Sequence, residues 1–318
     1  MVNSQKKNLN LGLVSIIMNC YNGEAYLHEA IGSVIAQTYQ NWELIFWDNQ
    51  STDKSKVIFD SFQDSRLKYY YAKEHTKLGA ARASAFKHLS GKYIAVLDTD
   101  DVWFPKKLEK QLHLFDDPDV GIVICDTLFF NETSERALYN GVYPPEGDVF
   151  SKLLTKYFIS LETLMLRKSI VDKLDYGFDS DFSYIADFDL VLRTARISKL
   201  AIYKEVLAKW RVHEGSDSWK SSVTFCIERE LWIDKQQKQS HNFLNSYKNE
   251  ISILHNKNFL LMSIFALSNN ERINALRLIF KTSFKDWYDY VIFLLCFIPF
   301  SDKMLKFLQQ RRIKRLLK

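Results

Sequence analysis

Between Lys92 and Trp103 the chain reads KYIAVLDTDDVW. An apolar run suited to a buried strand stops on Asp98-Thr99-Asp100-Asp101, three carboxylates within four residues. Charges this close repel one another, and each loses hydration beside a core. A divalent cation, Mn²⁺ or Mg²⁺, held by one or two of these carboxylates and completed by substrate phosphate oxygens, keeps all of them ionised. The plainer alternative is a turn before a helix, with Asp100 or Asp101 capping a helix that starts near Pro105. Two further polar clusters favour the cation, Asn19-Cys20-Tyr21-Asn22 and Asp48-Asn49-Gln50-Ser51, each closing an apolar run of its own.

Two later stretches carry chemistry of a different kind. In SYIADFDLVLRTAR, Asp187 and Asp189 stand at the start of a helical pattern, where the first turn accepts negative charge. In WRVHEGSDSW, Arg211 and His213 are two apart, hence on one face if the segment is extended. A cation and an imidazole so placed can hold a departing diphosphate or complete a metal's shell. The competing reading is a pair of surface residues ahead of a glycine turn. Ser216 and Ser218 are weaker candidates in the same stretch.

The elements that must position these groups alternate along the first third of the chain. Strands are predicted at Val14–Met18, Glu43–Trp47, Leu67–Tyr71 and Tyr93–Leu97, and helices at Glu24–Gln37, Asp53–Phe62 and Leu78–Leu89. This β-α-β-α-β-α-β order implies a mostly parallel, Rossmann-like sheet covered by helices on both faces. In such sheets ligands bind outside the carboxyl ends of the strands, so the three polar clusters are expected to meet in one crevice.

Taken together, VSIIMNCYNG (14–23), SVIAQTYQNWELIFWDNQSTDKS (33–55), LGAARASAFKHLSGKYIAVLDTDD (78–101), ADFDLVLR (186–193) and WRVHEGSDS (210–218) resemble the inverting family-2 glycosyltransferases of the GT-A fold over roughly residues 13–215. The resemblance implies that Asn19 and Tyr21 border the nucleobase, that Asp48 hydrogen-bonds a uracil imide, and that Arg82 approaches the nucleotide. It implies further that Asp98 faces the ribose or a metal-bound water and that Asp100 ligates the metal on the diphosphate, with Asp101 as the alternative ligand. Arg211 and His213 then face the diphosphate and the metal, and Asp187 is the general base that takes the acceptor's hydroxyl proton. The chain departs from the family pattern in three places. Asn19 replaces the usual proline, Asn49 a second aspartate, and Ala186 the glutamate ahead of the catalytic aspartate. Asp189 is expected to be structural.

Glycine usage marks a boundary. All ten glycines lie between Gly12 and Gly215, and four of the five prolines precede residue 150. The sequence therefore predicts a catalytic domain over 1–215 and a helical extension over 216–318. Helices are expected around Val223–Gln239, Phe243–Leu267, Asn270–Phe280, Asp286–Ile298 and Asp302–Leu317. Residues 301–318 carry seven basic side chains against Asp302 alone, which leaves −1 for the rest of a chain whose total is +5. A charge confined to one end argues against a nucleic-acid-binding face and for a local anionic partner. The run Tyr290–Phe300 is about half the ~20 residues needed to cross a bilayer, but its aromatics and the basic end suit an anionic leaflet surface.

The four cysteines lack metal or disulfide spacing, and the first residues lack a signal-type apolar run, which together predict a cytoplasmic protein peripheral to the membrane. MNCYNGEAY contains neither the glycine-rich basic loop of a sugar nucleotidyltransferase nor G-x-G-x-x-G, which disfavours both classes. A non-catalytic nucleotide-sugar-binding scaffold is the rival set up by Asn49 and Ala186. The expected activity is metal-dependent transfer of a sugar from a nucleotide-diphosphate donor, UDP-linked, to a glycan or lipid-linked saccharide of the cell envelope.

Overall fold

The computed structural model describes residues 11–213, 222–240, 242–284, 286–299, 301–303 and 305. Strands β1 (Val14–Cys20), β2 (Trp42–Asp48), β3 (Leu67–Tyr71) and β4 (Tyr93–Val96) run parallel in the order β3-β2-β1-β4. Every residue of β1 is buried, as expected for a parallel strand covered on both faces. The sheet continues with β5 (Val102–Trp103), β6 (Val120–Phe130), β7 (Glu135–Ala137), β8 (Met165–Arg167) and β9 (Lys199–Arg211). Strand β8 lies antiparallel between β4 and β6, β9 is parallel to β6, β5 closes the edge antiparallel to β9, and β7 pairs with β6.

Alternation along the strands divides the core. Ile16, Met18, Leu44 and Phe46 face one layer with Leu27, Ile31 and Val34 of α1 (Leu27–Ile35). Ile17, Ile45, Ile94 and Val96 face the other, with Leu190, Val191 and Leu192 of a helix near the far end of the sheet. Helices α2 (Ser55–Asp60), α3 (Leu78–Phe86), α4 (Lys107–Leu112), α5 (Phe150–Thr155), α6 (Lys168–Val171) and α7 (Ala186–Ala195) complete the two layers. The helix predicted at Glu24–Gln37 begins only at Leu27, because the loop ahead of it is held by hydrogen bonds from the loop after β2.

The helical C-terminal region comprises α8 (Ser222–Gln239), α9 (Phe243–Ser246), α10 (Lys248–Ser268), α11 (Arg272–Ile279) and α12 (Trp287–Leu295). The segment expected as one helix from Phe243 is broken at Tyr247. Trp232, Ile233, Phe243, Ile251 and Leu254 enter the same core as Ile17 and Ile124, whereas Ala266, Leu267, Ala275, Cys296 and Leu305 form a small core of their own. No helix among the described residues is long and apolar enough to cross a membrane. The four cysteines are buried and unpaired. The helix expected over Asp302–Leu317 lies almost wholly outside the described residues, as do Ser216 and Ser218.

Candidate active site

Register brings the strand ends together. Cys20 pairs with Asp48 and Ile17 with Val96, so the polar ends of β1, β2 and β4 share one edge of the sheet. Strand order reverses between β1 and β4, the place where an open α/β sheet leaves a crevice. The loops after β1 and β2 are fastened to each other: Ser51 Oγ accepts the Asn22 N–H at 3.0 Å, Ser55 Oγ that of Gly23 at 3.0 Å, and Asp53 Oδ2 that of Glu24 at 2.8 Å. A Cβ on Gly23 would stand 3.0 Å from Thr99 Oγ1, so glycine lets this paired loop close on the acidic turn.

The turn itself differentiates its three carboxylates. Asp98 accepts Arg82 Nη2 on both oxygens, at 3.0 and 3.2 Å, and remains partly exposed. Asp100 Oδ2 lies 2.9 Å from His213 Nε2, and Arg211 Nε donates to the Asp100 carbonyl at 3.0 Å. Burial, then the charge of Asp98, pushes the Asp100 carboxyl above its ordinary range. Asp101 is buried, and its Oδ1 accepts the backbone N–H of Arg211 at 3.0 Å. Burial first, then Glu162, holds the Asp101 carboxyl well above the usual carboxylate range. Arg211 is paired with Glu29 and lies against the rings of Tyr26 and Phe130, at 4.4 and 4.5 Å.

The side of the crevice formed by the ends of β1 and β2 is less engaged. The Asn19 side-chain amide is buried and has no hydrogen-bond partner for either its nitrogen or its oxygen among the described residues. Tyr21 is exposed, with its ring 4.2 Å from that of His75. Asp48 is buried: Oδ1 accepts the Ser51 N–H at 2.7 Å and Oδ2 the Tyr69 hydroxyl at 2.6 Å. Asn49 donates from Nδ2 to the Thr76 carbonyl at 2.7 Å and accepts the Thr76 N–H at 3.1 Å, which ties the entry of α3 to the end of β2.

Asp187 stands in the first turn of α7, where its Oδ2 accepts the Tyr157 hydroxyl at 2.9 Å. Burial and the Asp187 charge keep the Tyr157 phenol protonated. Asp189, two residues on, is fully buried between Arg193 and Trp232 Nε1, the structural place expected of it. A Cβ on Gly79 of α3 would come within 1.6 Å of the Phe182 carbonyl, so this glycine lets the segment ahead of α7 press against the helix that carries Arg82.

Residues 15–175 match the family model described as Glycosyl transferase family 2. The chain belongs to this family. It is 33% identical over 278 residues to the uncharacterized glycosyltransferase RT0329 of Rickettsia typhi, a match that covers 81% of this chain and 84% of the relative. Similarity also extends to WfgD of Escherichia coli, named a UDP-Glc:alpha-D-GlcNAc-diphosphoundecaprenol beta-1,3-glucosyltransferase, at 32% identity over 166 residues, 52% of this chain and 64% of that one. Among solved structures, Staphylococcus aureus TarS 1-349 in complex with UDP-GlcNAc superposes with a TM-score of 0.62 at 16% identity, covering 95% of this chain and 90% of that one. The mannosyltransferase PcManGT of Pyrobaculum calidifontis, with GDP-Man and Mn²⁺, gives 0.60 at 15%, covering 96% and 85%. At such identities the likeness shows the fold, which is GT-A.

In this glycosyltransferase the structure joins Arg82, Asp98, Asp100, Asp101, Arg211 and His213 in one hydrogen-bonded cluster. It sets Asn19, Tyr21 and Asp48 at the adjoining strand ends. Asp187 makes no direct bond to the cluster; residues 157–162 run from its partner Tyr157 to Glu162, the neighbour of Asp101. Among the described residues no three His, Cys, Asp or Glu side chains group to enclose a metal ion. The donor set that exists, a carboxylate and an imidazole with a second carboxylate alongside, fits an ion that takes its remaining ligands from a pyrophosphate and water. Sequence reasoning missed Glu29, Tyr157 and Glu162. Each is joined to its partner across the fold, and nothing in the local residue pattern marks it.

Proposed function

We propose that this glycosyltransferase moves a sugar, with inversion, from a UDP-sugar to a hydroxyl of a lipid-linked saccharide or glycan of the cell envelope. The observation that carries the reading is the meeting of His213 and Asp100 at 2.9 Å, side chains 113 positions apart, at the crevice edge where Asn19 leaves its amide without a partner among the described residues. A buried amide with both a donor and an acceptor free suits the edge of a nucleobase, and Tyr21 supplies a ring for its face. Asp48 reaches the base through lone pairs left over from Ser51 and Tyr69. The relatives' names support the donor and acceptor classes: UDP-glucose and a diphosphoundecaprenol acceptor for WfgD, UDP-GlcNAc for TarS.

Asp100 and His213 would hold a divalent cation. Its imidazole ligand favours Mn²⁺ over Mg²⁺, which prefers oxygen. When bound, the ion neutralises charge on the leaving diphosphate. The chain's own residues do the rest. Asp187 accepts the acceptor's hydroxyl proton as that oxygen bonds to the anomeric carbon, and the bond from this carbon to the diphosphate breaks, its electron pair leaving with UDP. Tyr157 keeps the second Asp187 oxygen occupied and so aims the first. Arg211 and Asp101 hold the acidic turn against β9. An acceptor carried on a lipid places the enzyme at the cytoplasmic face of a membrane.

The test is thermal stabilisation by UDP with and without Mn²⁺, followed by Asp187→Asn. The variant should keep the Mn²⁺-dependent shift and lose ~10²- to 10⁴-fold in transfer rate. A variant that still transfers at the parental rate removes Asp187 from the mechanism.

A further inference from the structure

Among the described residues, exposed large hydrophobic side chains are unevenly placed: six lie within residues 11–213, and fifteen lie in the helical region after residue 222. The densest set is on and just beyond α12, where Trp287, Tyr290, Val291, Leu294, Phe297 and Ile298 recur at spacings of three and four. That spacing puts them on one face of the helix, and the face is open: Trp287 is 63% and Phe297 61% exposed. The opposite side carries Asp289, which is only 1% exposed and has an oxygen without a partner among the described residues. The inward side also packs Ile292 and Cys296, so the helix is apolar on both sides, and its outward rings form a patch that water alone disfavours.

Two features decide what covers this face. Trp and Tyr mixed with Leu and Phe are the residues that prefer the headgroup layer of a bilayer, where one end of the ring is dry and the other wet. Residues 301–318, which follow directly, are net +6 in sequence, and Lys281 adjoins the exposed Phe280. That much positive charge so close in sequence disfavours a second copy of the chain as the occupant and favours anionic lipid. We propose that the outward face of α12 docks on an anionic lipid bilayer, its rings in the headgroup layer. The binding deepens the lipid-linked acceptor reading and rests on it only for its purpose, since adhesion does not depend on the chemistry at Asp100 or Asp187.

The experiment is co-sedimentation of the full chain with vesicles of phosphatidylcholine, alone or mixed with phosphatidylglycerol, for the parent and for a combined Trp287→Ser, Tyr290→Ser, Leu294→Ser variant. The parent should sediment with the anionic vesicles and much less with the neutral ones. The variant should lose at least about tenfold in partitioning. Its melting temperature, and its transfer to a water-soluble acceptor, should be unchanged. Brominated lipid should quench the parent's tryptophan emission, and Trp287→Phe should lose most of that quenching. Failure of the parent to bind anionic vesicles overturns the proposal, as does binding that survives the triple substitution or a dimer in light scattering that the substitution dissolves. Loss of transfer to a soluble acceptor in Asp187→Asn is read separately, so the two proposals fail by different results.

Discussion

Oδ1 of Asp101 accepts the backbone N–H of Arg211 at 3.0 Å, which makes the third carboxylate of the acidic turn a brace between that turn and the end of β9. Asp100, one residue earlier, faces His213 instead. The two neighbours therefore answer differently to the same substitution. Asp101→Asn retains an oxygen for the Arg211 amide and should keep UDP stabilisation by Mn²⁺. Asp100→Asn removes the charge proposed to hold the cation and should weaken the metal response about 10- to 100-fold. Mn²⁺ titrations monitored by melting temperature check this, and an Asp101→Asn protein as unresponsive as Asp100→Asn would make Asp101 the ligand.

The helix that carries Asp187 is held from outside the sheet domain. Glu228 on α8 accepts the backbone N–H groups of Ser183, Tyr184 and Ile185 at distances between 2.8 and 3.1 Å, immediately ahead of Ala186. Three successive amides closing on one carboxylate fix the entry of α7, and with it the direction of the Asp187 side chain. In Glu228→Gln the amide's N–H₂ would oppose one of those donors. We expect about 1–3 kcal/mol of lost stability and a fall in kcat at constant donor KM. Steady-state kinetics with varied UDP-sugar separate the two, and an unchanged kcat would reduce Glu228 to a purely structural support.

The residues that were readable in sequence are those whose signal is local. Strands β1 to β4 are short buried runs bounded by helical patterns, and the acidic turn sits at the end of the fourth, so their common edge followed from topology alone. Strand β6 was not readable as a unit, since its pairing with β9 slips in register near Val120, Cys125 and Asp126 and breaks the two-residue period. Arg211 was legible as a cation near the site but not as one paired with Glu29, 182 residues away. Family departures acquire local reasons: Ala186 is fully buried, where a glutamate would need a partner, and Asn49 must donate to a carbonyl.

That donation is itself testable. Nδ2 and Oδ1 of Asn49 pair with the carbonyl and N–H of Thr76, and His75 in the same loop packs on Tyr21. Asn49→Asp would set a carboxylate oxygen against the Thr76 carbonyl. The loop at the entry of α3 should loosen, at a cost of about 1–3 kcal/mol in chemical denaturation, and UDP binding measured by calorimetry should weaken with it. Restoring the family's usual aspartate is thus expected to harm this chain. Undiminished stability would show that the Thr76 pairing contributes nothing net.

Lys107 supplies the pH dependence. Its Nζ is fully buried, 4.2 Å from the centre of the Trp103 ring, with no hydrogen-bond partner among the described residues. Burial pushes its pKa down to about 8, against the smaller opposing influence of Cys125 and Glu162. An unfolded lysine titrates near about 10.4, so between the two values the unfolded chain binds more protons than the folded one and stability rises with pH. The penalty for burying the ammonium is fully present below pH 8 and gone above the unfolded value, and its size is at most about 3 kcal/mol. Lys107→Met replaces the side chain with an apolar one of similar length, and should stabilise the protein by about 1–3 kcal/mol at pH 7. Urea denaturation at pH 7, 8, 9 and 10 should show that advantage shrinking as the parent loses its proton. An advantage constant across this range, or a loss of stability at pH 7, would mean that the ammonium is compensated where it lies.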